Sequence, residues 1–379
     1  MGPLKGFKII EIAGIGPGQF AGMLLADMGA SVVRIERPVP EEPIFAANAR
    51  YNLMNRSRPL VGVDLKSPRG VQLVLDLCAD ADAIFEGFRP GVMERLGLGP
   101  EACMARNPKL VYGRMSGWGQ QGPMAKTIGH DANFIALSGV YAAIGEKGGD
   151  PVYPLNLVGD MGGGGAFLVI GMLSALLEAT KSGQGQVIDA AMVDGAASQM
   201  SSIWGFKAAG AWKDERGSNI LDGGAPFYTA YRTRDGLHFA VAPIENRFYR
   251  NLLGALGLND IDPASQHDPS QWDDVRQRLQ AVFETRTRDE WCEILDGTET
   301  CCTPVLNMSE AISHPHNLAR ETFISIDGIT QPAPAPRFSR TVSEVSSAAG
   351  PVRPDLYQVL KDWGASAEVL AKIPGENQK

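Results

Sequence analysis

FKIIEIAGIGPGQFAGMLLADMGASVVRIERP, residues 7–38, is the stretch on which the fold turns. FKIIEIAG is a short apolar run closed by glycine. GPGQFAGMLLADMGA reads as a tight turn into a helix, and SVVRIERP as a second β-rich run closed by proline. Strand, helix and strand within ~30 residues make a βαβ unit, which demands parallel strands and a right-handed crossover. The alternation continues with LVGVDL (60–65), a helix over 68–80, ADAIFEGF (81–88) and LVYGRMSGWG (110–119). The expected class is α/β, a Rossmann-like large domain around a parallel sheet.

A chain of 379 residues is long enough for two or three domains. Its 44% hydrophobic and 21% charged content is that of a globular protein, and a net charge of −8 argues against nucleic acid as the main partner. The five cysteines lack C-x-x-C spacing, which suits reduced thiols and neither a disulfide framework nor a zinc site. The histidines are scattered, so no metal motif is expected. The N-terminus lacks the pattern of a secretory signal, and the most apolar segment, 166–178, is short and holds Gly171 and Ser174. The C-terminal GENQK is not a peroxisomal address. These readings predict a cytoplasmic protein that does not span a membrane.

Beyond residue 190 the character changes. The expected organisation is a large domain over 1–190 completed by 330–379, a linker over 191–225, a small α+β domain over 226–325 and a strap over 326–354. Within the small domain, YTAYRTRDGLHFAVAPIENRFYRNLLGALG predicts a hairpin turning at Asp235-Gly236 and then a helix. QPAPAPRFSRTVSEVSSAAGPVRP (331–354) should run extended, and DLYQVLKDWGASAEVLAKI should form two short helices split at Gly364.

Four motifs carry the candidate chemistry. In GIGPGQFAG, Gly16, Gly18 and Ala21 fit the dinucleotide fingerprint, with Glu36 placed to bind a ribose. That keeps a Rossmann-type oxidoreductase in view, but Pro17 removes a backbone donor from the turn, and a tightly packed βα turn is the favoured reading. A second feature is the basic set Arg34, Arg37, Arg56, Arg58, Lys66, Arg89 and Arg95. Arg37, Lys66 and Arg89 lie just past predicted strands, on the rim where open parallel sheets bind ligands and where guanidinium forks can grip phosphates. The third is GHDANFIALSG, which places His130 in a turn ahead of an apolar segment, either as a general base or as a turn hydrogen-bonder.

The fourth is PLNLVGDMGGGGAFLVIGMLSALLEA (154–179), where Asp160 precedes four glycines. Each glycine costs about 1 kcal/mol against alanine in a helix, so close backbone packing or a ligand reaching the main chain must explain them. Asp160 reads as a helix N-cap or as a base in a near-apolar setting that raises its pKa. Free N–H groups beside it would steady an anionic oxygen. The helix that follows is apolar nearly all round, which predicts burial.

Taken together, IEIAGIGPG, ADMGASVVRIERP, EGFRPGVMERLGLGP, GRMSGWGQQGP, GHDANFIALSG, PLNLVGDMGGGG, SGQGQVIDAAMVDG, LDGGAPFY and PAPRFSRT resemble the α-methylacyl-CoA racemases, within the family III CoA-transferases. The likeness runs over about 4–345. It implies an interlocked homodimer, with the active site between one chain's large domain and the other's small domain. It also implies an acyl-CoA thioester substrate with no separate cofactor or metal. By motif it assigns catalysis to His130, Asp160 and Glu245, the last in APIENRFY. Coenzyme A binding is carried to Arg37, Val63, Asp64, Leu65, Lys66, Glu86, Gly87, Phe88, Arg95, Gly129, Asp131, Ala132, Asn133 and Phe134. The implied reaction is racemisation of 2-methylacyl-CoA thioesters through an enolate. The alternatives are a family III CoA-transferase using Asp160 as nucleophile and a non-catalytic acyl-CoA binder.

Overall fold

The computed structural model of the chain describes residues 2–38, 48–351, 353 and 355–373. The C-terminal GENQK and parts of the strap lie outside the described residues. Strands β1 (Lys8–Ile12), β2 (Ser31–Glu36), β3 (Leu60–Gly62), β4 (Ala83–Glu86), β5 (Val111–Ser116) and β6 (Val187–Ala191) form one parallel sheet, ordered β3-β2-β1-β4-β5-β6. Its helices are α1 (Pro17–Asp27), α2 (Pro68–Asp80), α3 (Val92–Arg95), α4 (Pro100–Met104) and α5 (Asp131–Leu137), followed after α6 (Val140–Ala143) by α7 (Phe167–Ser182) and α8 (Met192–Gln199). The βαβ reading of 7–38 therefore holds, as does the α/β class. The edge strand β6, in QVIDAA, has no alternating pattern to announce it and escaped sequence reasoning.

Strand alternation sends side chains to both faces of the sheet. From β1, Ile10 and Ile12 join Val74 and Leu77 of α2 with Leu360 and Trp363 of the C-terminal helix Leu356–Trp363. Ile9 points the other way, to Leu25 of α1 and to Leu168 and Met172 of α7. A second short helix, Ala367–Ala371, follows Gly364, whose φ of 94° lets the chain turn there. Beyond a hairpin of Phe323–Ile326 with Ile329–Pro332, the chain runs without helix back over the sheet, and its Ser347 carbonyl accepts the Ser57 N–H.

On the α1 side β1 also buries Glu11, which is fully enclosed and paired with both Arg34 and Arg58. Arg56 lies equally deep, 2.6 Å from Asp27. Burial pushes the Asp27 carboxyl up, against the pull of Arg56. These three arginines, singled out from sequence within the basic set, are internal counter-charges. Burying Glu11 requires Arg34 and Arg58, and burying Asp27 requires Arg56, because an unpaired interior carboxylate is prohibitive. Arg37, Lys66, Arg89 and Arg95 do stay exposed.

The four glycines are explained by packing. Val158–Ala166 winds as a π-helix that runs into α7 and presses against α1 and α8. A Cβ on Gly163 would stand 2.7 Å from the Ala196 nitrogen, one on Gly164 2.9 Å from Pro17 Cβ, and one on Gly165 2.7 Å from the Pro17 oxygen. From the facing helix, a Cβ on Gly195 would sit 1.9 Å from the Gly163 oxygen. Gly163–Gly165 are buried, so the stretch is not an open approach for a ligand to free N–H groups. Leu155–Ser182 forms one helical stretch holding an 18-residue window of mean hydropathy 1.5, long and apolar enough to cross a bilayer by length and composition, where the sequence reading saw only the short segment 166–178. Here Leu168, Met172 and Leu176 pack it on the sheet, while Ile170 and Leu177 remain exposed, so the burial expected all round is one-sided.

The chain divides into two compact units, Met1–Ser138 with Leu155–Gln199 and Ala319–Lys379, and Gly139–Pro154 with Met200–Leu318. In the second, β7 (Thr229–Arg232), β8 (His238–Val241) and β9 (Cys302–Pro304) form an antiparallel sheet. The β7–β8 hairpin turns at Asp235-Gly236, where Gly236 has φ 79°. α9 (Ser201–Ala208) precedes it, and α10 (Asn246–Ala255), α11 (Trp272–Phe283) and α12 (Arg288–Leu295) pack around a core of Phe227, Tyr231, Phe239, Tyr249 and Phe283.

Candidate active site

The first unit brings three stretches together: the turn after β1, the start of α5 and the π-helix. At the turn, Gly16 has φ 68° and hands the chain to Pro17, the first residue of α1. A Cβ on Gly16 would lie 3.1 Å from Asp160 Oδ2, so the glycine leaves room for that carboxylate. The fingerprint glycine thus serves Asp160. Glu36, the expected ribose acid, accepts from the Arg37 N–H at 3.1 Å and from Arg34 at 3.4 Å.

His130 sits immediately before α5 and is exposed. Its N–H donates to Asn133 Oδ1 at 3.0 Å, and its carbonyl accepts the Asn133 N–H at 2.8 Å, which fixes the helix start. Gly129 is held under Phe134, where a Cβ would come within 2.7 Å of Cε1; Phe134 in turn meets Trp118 edge-on at 4.7 Å. Asp131, only 3% exposed, turns inward and accepts the Asp160 N–H at 2.8 Å. Gly159 permits this, since a Cβ there would stand 2.2 Å from Asp131 Oδ1.

Asp160 is not an N-cap. The helical stretch is capped at Leu157, and Asp160 is the third residue inside it. Its Oδ2 accepts from Asn156 Nδ2 at 3.1 Å, a neighbour four residues back that helical spacing alone would have suggested. Burial raises the Asp160 pKa; the Asn156 hydrogen bond lowers it, the Asp131 charge raises it further and His130 lowers it. The arrangement is a half-buried carboxyl that holds a proton more readily than an exposed one, tied to the loop that presents an imidazole.

The residues assigned to coenzyme A line the carboxyl edge of the sheet. Arg37 follows β2, Val63–Lys66 follow β3 and Glu86–Phe88 close β4, while Arg95 ends α3. With strands ~4.8 Å apart, the ends of β3 and β4 stand about 15 Å apart across this edge. Arg37, Asp64, Lys66, Gly87, Arg95 and Asn133 are exposed there. Val63, Glu86, Asp131 and Phe134 turn their side chains inward, whereas Leu65, Gly129 and Ala132 are intermediate. Asp64 Oδ1 accepts the Lys66 N–H at 2.9 Å, shaping the turn into α2. Glu86 accepts the Phe88 N–H at 2.6 Å and lies 3.4 Å from Arg114 Nε, so its carboxyl shapes the loop from within. Burial, outweighing that hydrogen bond and Arg114, pushes its pKa up to about 7.

Glu245 belongs to the second unit. It is exposed, precedes α10, and its carbonyl accepts the N–H groups of Phe248 and Tyr249 at 3.0 and 3.1 Å.

Comparison with known proteins gives this geometry a context. Residues 4–356 match the CoA-transferase family III model. The chain is 45% identical over 373 residues to mouse alpha-methylacyl-CoA racemase, covering 98% of this chain and 96% of that protein. It is 41% identical over 374 residues to the human protein of the same name, with the same coverage. A CaiB/BaiF family protein from Brucella suis shares the fold at TM-score 0.81 and 24% identity, over 96% of this chain and 99% of that one.

Proposed function

The chain belongs to CoA-transferase family III, and from that premise we propose that it is a racemase interconverting (R)- and (S)-2-methylacyl-CoA thioesters. The observation that carries the reading is the joining of Asp160 to the His130 loop in a chain 45% identical to a racemase. One group removes the α-proton from one face, the thioester carries the charge as an enolate, and the other group returns a proton to the opposite face. A raised Asp160 pKa suits a carboxyl that must hold a proton in one direction and accept it in the other. Exposed Arg37, Lys66 and Arg95 would meet the phosphates of coenzyme A, and the Val63–Lys66, Glu86–Phe88 and Gly129–Phe134 segments would hold the rest. No separate cofactor or metal enters this chemistry.

Incubating one enantiomer of a 2-methylacyl-CoA in deuterated water should exchange the α-hydrogen and scramble configuration together. Acyl transfer to a free acid without α-exchange would sink this reading in favour of the transferase alternative, with Asp160 as nucleophile.

The catalytic unit in this proposal is an interlocked homodimer in which Glu245 of one chain acts on His130 of the other. Its support is apolar surface left open on the single chain. α9 buries none of its residues and leaves Trp204 54% exposed, while Ile170 and Leu177 on α7 are 58% and 59% exposed. Apolar faces of this kind mark interfaces. Co-expressed His130→Ala and Glu245→Ala chains should recover part of the activity each variant lacks alone, because a mixed dimer then places both defects in one site. No recovery beyond the separate variants, or a fully active monomer in sedimentation, would overturn it.

A further inference from the structure

We infer that the Asp131 side chain is a positioning group for the proposed proton transfer: its carboxylate locks the Asp160 backbone to the helix start carrying His130. The inference rests on the racemase reading and assigns a role to a side chain that reading leaves without one. Asp131 is 3% exposed, so its carboxylate cannot reach out to coenzyme A, and any contact it makes with that ligand is left to its main chain.

The geometry is specific. Asp160 N–H lies in the first turn of its helical stretch, among the N–H groups a helix start leaves without an internal acceptor. The acceptor arrives from another element, Asp131 Oδ1 at 2.8 Å, across 29 residues of sequence. The fit is tight enough that position 159 has no room for a side chain, with a Cβ 2.2 Å from Oδ1, 2.8 Å from Cγ and 3.0 Å from Ile135 Cγ2. Since His130 and Asp131 are adjacent, any shift of the imidazole's backbone carries the Asp160 backbone with it. Two groups that must face one carbon from opposite sides need this common reference, because a displacement of ~1 Å can cost about 10²-fold in rate.

A residue serving stability alone would do no more than hold the fold. Asp131 also places a negative charge beside the Asp160 carboxyl. The groups acting on that carboxyl are Asn156 from its own stretch and Asp131 and His130 from the start of α5. From the α1 side it meets Gly16, and the facing α8 meets the π-helix through Gly195, Ala196 and Gln199, none of them charged. Of these, only Asp131 adds a like charge.

The test is the pH dependence of α-hydrogen exchange, as kcat/KM, for the wild type and for Asp131→Asn and Asp131→Ala. Asparagine keeps an oxygen for the Asp160 N–H and removes the charge. Its acidic limb should move to lower pH, because Asp160 then ionises more easily. Alanine removes the acceptor as well, and exchange should fall by about 10²-fold, with asparagine recovering most of that loss. An unmoved limb in Asp131→Asn, or wild-type exchange in Asp131→Ala, would overturn the inference. If Asp131→Asn does not fold, Gly159→Ala presses on the same carboxylate from the other side and should lower exchange; if neither folds, the contact is structural only and the inference fails. Absence of exchange in the wild type would be a failure of the racemase reading itself and is recognised separately.

Discussion

Replacing Asp160 by asparagine should abolish most α-proton exchange while leaving the protein at least as stable as the wild type at neutral pH. The rate loss expected for one acid–base group is about 10²–10⁴-fold, and His130→Ala should lose as much. The stability half follows from the sign of the Asp160 shift. Its folded-state pKa is raised, chiefly by burial, so the ionised group opposes folding once the pH exceeds its unfolded value. That penalty is fully present above the folded pKa and absent below the unfolded one. Asparagine removes it, so the gain over wild type should appear at neutral pH and vanish towards acid. The side chain accepts from Asn156 and caps nothing in its own helix, so little structural support is lost. Urea unfolding at neutral and acidic pH, beside exchange in deuterated water, measures both. A variant that unfolds easily yet retains exchange in its folded fraction would return Asp160 to a structural role.

The second large effect is expected at Gly195. An alanine there must place its methyl 1.9 Å from the Gly163 oxygen and 2.6 Å from the Gly163 carbon, backbone that no rotamer change can move aside. Overpacking of this kind costs about 1–3 kcal/mol or more, and relief can come only by pushing the π-helix that carries Asp160 away from α8. Gly195→Ala should therefore lower both the urea midpoint and the exchange rate. Gly162→Ala should be milder, because its nearest neighbour at 2.8 Å is the amide end of Gln199, which can turn away. Gly205→Ala on α9 meets nothing within 4 Å and should be neutral or stabilising. If Gly195→Ala kept full stability and lost only activity, the glycine contact would be serving a ligand and the packing account would be wrong.

The sequence by itself determined the parallel α/β architecture. The βαβ pattern of 7–38, the helix over Pro68–Asp80 and the hairpin at Asp235-Gly236 are written in apolar periodicity and turn residues, and periodicity follows from backbone geometry that every chain shares. It also singled out His130 and Asp160 as candidates, because their motifs are contiguous. Tertiary structure alone decided what depends on approach between distant segments. Arg34, Arg56 and Arg58 read as members of one basic set with Arg37 and Lys66, but Glu11 and Asp27, brought beside them by the packing of β1 and α1, draw them inside as counter-charges. The four glycines read equally as a ligand opening or a packing seam until α1 and α8 were seen to occupy the space. The bond from Asp131 to Asp160 spans 29 residues and joins two motifs that no local spacing relates. Burial and charge proximity are properties of assembled volume, so residues whose roles rest on them show no signature in the order of the chain.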